Sequence, residues 1–145
     1  MEKDVIISIK GVQRYENADP DTMELVTAGR LEREGNSYTL SYQESELTGL
    51  EGTLTTFQIE PERITLMRVG EFNSQMVFQE GRRHMSMYNT PYGAMTIGVN
   101  TRHLLAELDD QGGEIEIDYA IEIDHSVAGR NTFQINVKEA EGAAG

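Results

Sequence analysis

Between Gly113 and Asp124 the chain alternates without a break. Ile115, Ile117, Tyr119, Ile121 and Ile123 fall on one side, and Glu114, Glu116, Asp118, Ala120 and Glu122 on the other. A period of two sends successive side chains to opposite faces of an extended backbone. This tract therefore buries its apolar set only as a strand of a sheet with one wet face. The same period recurs along the chain, at Val5, Ile7 and Ile9, at Tyr38, Leu40 and Tyr42, at Thr53, Thr55, Phe57 and Ile59, and at Phe133, Ile135 and Val137. A longer strand over 23–33 carries Met23, Leu25, Thr27, Gly29 and Leu31 on one face. Residues 64–69, 75–79, 82–88 and 94–101 read as four more strands. Turn signals such as Glu34-Gly35-Asn36, Glu60-Pro61-Glu62-Arg63 and Glu80-Gly81 return about every ten residues, the rhythm of an antiparallel meander rather than of βαβ units.

Three places interrupt the pattern. Gly11 predicts a bend or bulge in the first strand and Gly29 a kink in the second. His103–Leu108 suits either one or two helical turns or a continuing strand. The fold expected from all this is all-β, an antiparallel up-and-down barrel of about eight to ten strands, because closure is the most complete way to cover sheet edges. A sandwich is the alternative. Residues 1–138 form the single barrel domain, and the polar, glycine-ending segment 139–145 is expected to be a disordered tail.

Composition narrows the partners. A chain of 145 residues with a net charge of −13 is one domain with a surface that repels phosphate backbones and anionic headgroups. Neither nucleic acid nor a membrane is expected as a partner. Cysteine is absent, so no disulfide framework or thiolate metal site exists and a reducing compartment suits the chain. Met1-Glu2-Lys3-Asp4 and the short apolar run after it lack the basic and hydrophobic regions of a secretory signal. The expected location is the cytoplasm.

The densest chemistry lies in Arg82–Thr101, two alternating strands about an Asn89-Thr90-Pro91-Tyr92-Gly93 turn. Five of the seven methionines, Met67, Met76, Met85, Met87 and Met95, fall on successive strands around it. Unbranched thioethers accommodate irregular apolar shapes, so this set reads either as ordinary core or as the wall of a ligand pocket. Tyr42, Tyr88 and Tyr119 offer apolar bodies with polar tips. Arg68 or Arg82, if turned inward, offers a fork for a carboxylate; the plainer reading puts both in solvent. On residues 82–88 either Met85 and Met87 or His84, Ser86 and Tyr88 point inward.

Dedicated catalytic and metal motifs are missing. His84, His103 and His125 share no short ligand spacing. No Gly-X-Ser-X-Gly elbow and no phosphate-cradling glycine loop occurs. Catalytic residues, metal and cofactors are each expected to be none.

The tracts Ser41-Tyr42-Gln43-Glu44-Ser45-Glu46-Leu47-Thr48-Gly49, Met67-Arg68-Val69-Gly70, Met76-Val77-Phe78 and Tyr88-Asn89-Thr90-Pro91-Tyr92-Gly93, with Thr101 and Gly113–Tyr119, resemble the YwiB-like family of small bacterial β-barrel proteins. The resemblance runs from Val5 to Val137. It implies a calycin-like, lipocalin-resembling barrel in the bacterial cytosol and supplies no catalytic or binding residues. The chain departs from secreted lipocalins in having no tryptophan and no disulfide.

Three functions follow in order. The first is a cytosolic barrel that binds a small, mostly apolar molecule with an acidic or hydroxyl head, lined by Tyr42, Met67, Arg68, Met76, Arg82, His84, Met85, Met87, Tyr88, Met95 and Tyr119. The second is a homodimeric or protein-interaction module without a ligand. The third is a barrel enzyme acting on a small molecule through Glu44, His84 or Tyr88.

Overall fold

Alternation of the kind seen at Glu114–Ile123 is resolved by ten strands in a ring. The structure, a computed structural model, describes residues 1–15, 19–45, 50–70, 73–90, 93–123 and 126–140, the side chains of 87–90, 94 and 95 excepted. The strands are β1 (Glu2–Arg14), β2 (Asp21–Glu34), β3 (Ser37–Gln43), β4 (Thr53–Ile59), β5 (Ile64–Gly70), β6 (Ser74–Phe78), β7 (Arg83–Thr90), β8 (Gly93–Asp109), β9 (Gly112–Ile123) and β10 (Ser126–Glu139). Each pairs antiparallel with its neighbours in sequence, and β1 pairs with β10 to complete the barrel. The sandwich is thereby excluded. The ring is thinnest between β6 and β7, where among the described residues Ser74 and Tyr88 form the single bridge.

The interior belongs to one parity of each strand. Val5, Ile7, Leu31, Leu40, Ile64, Phe78, Ile115 and Ile117 are fully buried, and each such aliphatic or aromatic side chain contributes about 1.5–3 kcal/mol relative to exposure. Phe78 and Tyr119 meet inside with ring centroids 4.7 Å apart. His103–Leu108 is strand, the second half of β8, reached past a register shift between Thr101 and His103.

Neither early glycine is a break. β1 runs through Gly11 and β2 through Gly29 with continuous register against each other. Gly29 stands where it does because of close approach: a Cβ there would run into Ile7 Cδ1 and lie 2.5 Å from the Ser41 carbonyl oxygen. At the hairpin between β2 and β3, Gly35 has the positive φ (64°) expected of that turn.

The two ends of the barrel differ. At one, Asp110 in the β8–β9 turn accepts a hydrogen bond from the Tyr38 hydroxyl (3.1 Å), and its Oδ1 lies 3.2 Å from Arg33 Nε. That contact ties the β2–β3 hairpin to the β8–β9 turn across this end. β10 continues to Glu139, and the Ala140 amide donates to the Asp4 carbonyl; residues 141–145, most of the expected tail, lie outside the described residues. No helix among the described residues is long and apolar enough to cross a membrane.

Candidate functional site

Toward the other end the inner stripe of several strands changes character. On β3 it runs Leu40, Tyr42 and then, just past the strand, Glu44. On β5 it runs Ile64, Leu66, Arg68, and on β10, read backward, Val137, Ile135, Phe133, Asn131. On β1 it ends in Gly11, whose missing side chain leaves the Phe133 ring as its nearest neighbour. Large aliphatics thus give way to glycine and polar groups at one level, and a cavity of about 320 Å³ opens there. β2 contributes to the opening by parting from β3. Its pairing with β3 spans Arg30 to Glu34, whereas Asp21 to Gly29 pair with β1 alone among the described residues.

The wall is mostly apolar. Ile9 and Phe57 on it are buried, Val12, Leu25, Leu50 and Phe133 half-buried, and Met23 exposed. Such a cavity sits at the lower end of the size range for small-molecule sites, which combine an apolar lining with a few convergent polar groups.

Those polar groups are Tyr42, Glu44, Arg68 and Asn131, with Asp21 at the rim. Glu44 is buried, and its Oε1 accepts a 2.7 Å hydrogen bond from the fully buried Thr55 hydroxyl. Its amide donates to the Thr53 carbonyl (2.9 Å), which prolongs the β3–β4 ladder by one residue and fixes the carboxylate inside. The Tyr42 phenol titrates far above its ordinary range: burial disfavours the phenolate first, and the Glu44 charge and hydrogen bond act in the same sense. Arg68 and Thr55 oppose them. Four side chains therefore form one electrostatic unit. Asn131 belongs to a second, donating from Nδ2 to the Tyr119 hydroxyl at 3.2 Å.

Arg68 is the member with unmet capacity. Its Nε is shielded from solvent and has no hydrogen-bond partner. No carboxylate among the described residues pairs with it, although five other arginine and lysine side chains of the barrel do find one.

The residues expected from sequence are scattered by this geometry. Tyr42 and Arg68 stand on the cavity wall, and Tyr119 lies one hydrogen bond behind it. Met76 is buried in the core away from the wall. Met67 is half-buried on the parity of the exposed Val69, opposite to that of Ile64 and Leu66, and Met85 is 59% exposed. Arg82 is exposed in the turn before β7, beside Glu80 and Glu62. His84 is half-buried and contacts Gln79 through Nε2 (3.1 Å), while Ser86 is buried; the inward parity of β7 is thus that of His84 and Ser86, and Met85 faces out. The side chains of Met87, Tyr88 and Met95 lie outside the described residues. By backbone register, Arg68, Ser74, Tyr88 and Met95 form one row across β5 to β8, so the β7–β8 hairpin closes at the cavity end.

Among the described residues the wall is supplied largely by β1, β2 and β10, and Met23 is the only methionine on it. Ile9, Gly11, Leu25, Phe57, Asn131 and Phe133 are not among the ligand-site residues expected from sequence, and Glu44 is expected there only as an acid-base alternative. A usable signal was present. Glu44 continues the parity of Leu40 and Tyr42, and Asn131 that of Phe133 and Ile135. Among the described residues no cluster of three or more His, Asp or Glu is placed to hold a metal ion.

Comparison with known proteins bears on the fold. The chain superposes on the crystal structure of ywiB protein from Bacillus subtilis with a TM-score of 0.84 at 20% sequence identity, over 96% of this chain and 93% of that one. At this identity the likeness establishes the barrel alone. No curated protein matches the sequence. Residues 7–135 match a family model described as a domain of unknown function, DUF1934. That match spans nearly the whole barrel, and the chain belongs to the DUF1934 family, whose fold it shares with ywiB protein.

Proposed function

We propose that the protein is a non-enzymatic, cytoplasmic barrel that binds a small, mostly apolar molecule with an acidic or hydroxyl head, in the manner of a lipocalin-like carrier. The observation that carries this reading is the 320 Å³ cavity at one end of the barrel, apolar for most of its wall and polar at Tyr42, Glu44, Arg68 and Asn131. An apolar guest releases water from Ile9, Leu25, Phe57 and Phe133, while the polar cluster orients its head. The absence of cysteine suits a reducing compartment.

Native mass spectrometry of protein purified from its own host tests this directly. The expected spectrum shows a non-covalent adduct of small mass that Leu25→Trp, which fills the cavity, abolishes while the variant stays folded. An adduct indifferent to Leu25→Trp, or a protein that carries no adduct and takes up no apolar probe, overturns the reading.

One observation favours an interaction surface as a second reading. Leu54 and Val69 are cross-strand partners on the outside of β4 and β5 and are 39% and 62% exposed. A second copy of the chain covering that pair would be seen as a dimer in the same spectra. The enzyme reading has less support: Glu44 is tied to Thr55 in the cavity wall, whereas His84 is engaged with Gln79 in the turn before β7. The two do not form an acid-base pair.

A further inference from the structure

We infer that the guest is a monocarboxylate with an apolar body, its carboxylate held by Arg68. This inference rests on the cavity being a ligand site and names what that site selects. Three features of the wall converge on it.

The first is the state of Arg68. Arg68 stands half-buried on the cavity wall, no carboxylate among the described residues pairs with it, and its Nε makes no hydrogen bond. A planar carboxylate matches the guanidinium fork and satisfies it with charge-assisted bonds. A hydroxyl head offers a single neutral oxygen and leaves the charge uncompensated.

The second is the engagement of the neighbours. Glu44 receives the Thr55 hydroxyl and is coupled to the Tyr42 phenol, and Asn131, a neutral group, donates one bond to the Tyr119 hydroxyl. Arg68 is the cationic group on the wall among the described residues, so the head of the guest is directed there.

The third is a limit on charge. Glu44 and Asp21 line the same cavity, and the chain as a whole carries −13. A head with two negative charges would meet two carboxylates with one cation to offset them, whereas a single charge is met by Arg68. Phosphate monoesters, which are close to dianionic above neutral pH, are selected against on this ground. The cavity is small, so the body is short: a medium-chain or single-ring acid rather than a long lipid.

Calorimetric titration of the full chain at pH 8 with octanoate, octanol and octyl phosphate tests the assignment. These three carry an unbranched alkyl body, one methylene shorter in octanoate than in the other two, and differ in the head. Octanoate is expected to bind at least about tenfold more tightly than octanol, the usual scale of a charge-assisted hydrogen bond, and more tightly than octyl phosphate. Arg68→Gln is expected to bring the octanoate-to-octanol ratio close to one. The comparison on the unaltered protein stands even if Arg68→Gln does not fold. Octanol binding as well as octanoate, octyl phosphate binding better than octanoate, or a ratio unchanged by Arg68→Gln each overturns the carboxylate assignment and leaves a binding barrel in place. If none of the three binds, the ligand site itself falls, and the assignment with it.

Discussion

The Thr55 hydroxyl donates to Glu44 Oε1 across 2.7 Å, the threonine fully buried and the glutamate nearly so. A carboxylate so placed depends on its donors, since burying an acceptor that has lost a partner costs more than the bond itself contributes. Thr55→Val keeps the shape and removes the donor. It is expected to destabilise the fold by about 1.5–3 kcal/mol, read from the urea midpoint at unchanged m-value.

Tyr42 gives that cluster a pH signature. Its folded-state pKa is raised, by burial first and by Glu44 second, so the native state holds the phenolic proton more tightly than the unfolded chain. The associated stability is complete below the unfolded pKa of about 10 and is lost as pH rises through the folded value. Stability is therefore expected to fall on the alkaline side, and Tyr42→Phe to flatten part of that fall. Tyr38 is shifted the same way, by burial first and by Asp110 second, so the Tyr38→Phe variant serves as the second arm. Urea midpoints of the three proteins from neutral to alkaline pH measure it. An unchanged alkaline slope in both variants counts against this assignment.

Gly29 tests the close approach of three strands. A Cβ at that position runs into Ile7 and the Ser41 carbonyl, and Ile7 has no free space into which to retreat because it is fully buried. Gly29→Ala is expected to cost about 1–3 kcal/mol, the range for overpacking, in contrast to the gain that Gly→Ala gives where the backbone permits it. Thermal unfolding of the two proteins side by side decides the sign.

Core and surface residues of one sheet should separate cleanly. Phe78 is fully buried against Tyr119, and Val69 on the neighbouring strand is 62% exposed. Phe78→Ala is expected to destabilise by about 3–5 kcal/mol and Val69→Ala by less than about 0.5 kcal/mol. Chemical denaturation of both variants checks the contrast.

These residues also show what could be read from the chain and what could not. Period-two alternation identifies a strand and its two faces, and where one face is aliphatic and the other charged, as at Ile115, Ile117 and Tyr119, the inner face follows at once. At Arg82–Tyr88 both faces mix polar and apolar groups, so parity alone leaves two answers open; in the fold Ser86 is buried opposite Ile97, a core residue, while Met85 is 59% exposed. Arg68 could have been placed from Ile64 and Leu66, whose parity it continues, but a charge at an inward position reads as an exception. Glu44 needed more still, because its place depends on the bond from its amide to Thr53 after β3 has ended. The cavity was the least legible feature of all. It arises from where β2 leaves β3 and from what glycine fails to fill, and neither is a property of any one stretch of sequence.

A last consequence follows from the single bridge between Ser74 and Tyr88. Among the described residues nine seams of the ring carry ladders of five or more register pairs and the tenth carries one, so the ring behaves as a bracelet with a clasp. Any change in girth, whether from thermal breathing or from a guest slightly too wide for the mouth, is taken up where the fewest bonds oppose it. Ser74 also stands beside Arg68 in the same cross-strand row, so the clasp adjoins the anchor. The amides of β6 and β7 that face each other are expected to exchange with solvent fastest among the strands, and to slow when the cavity is filled.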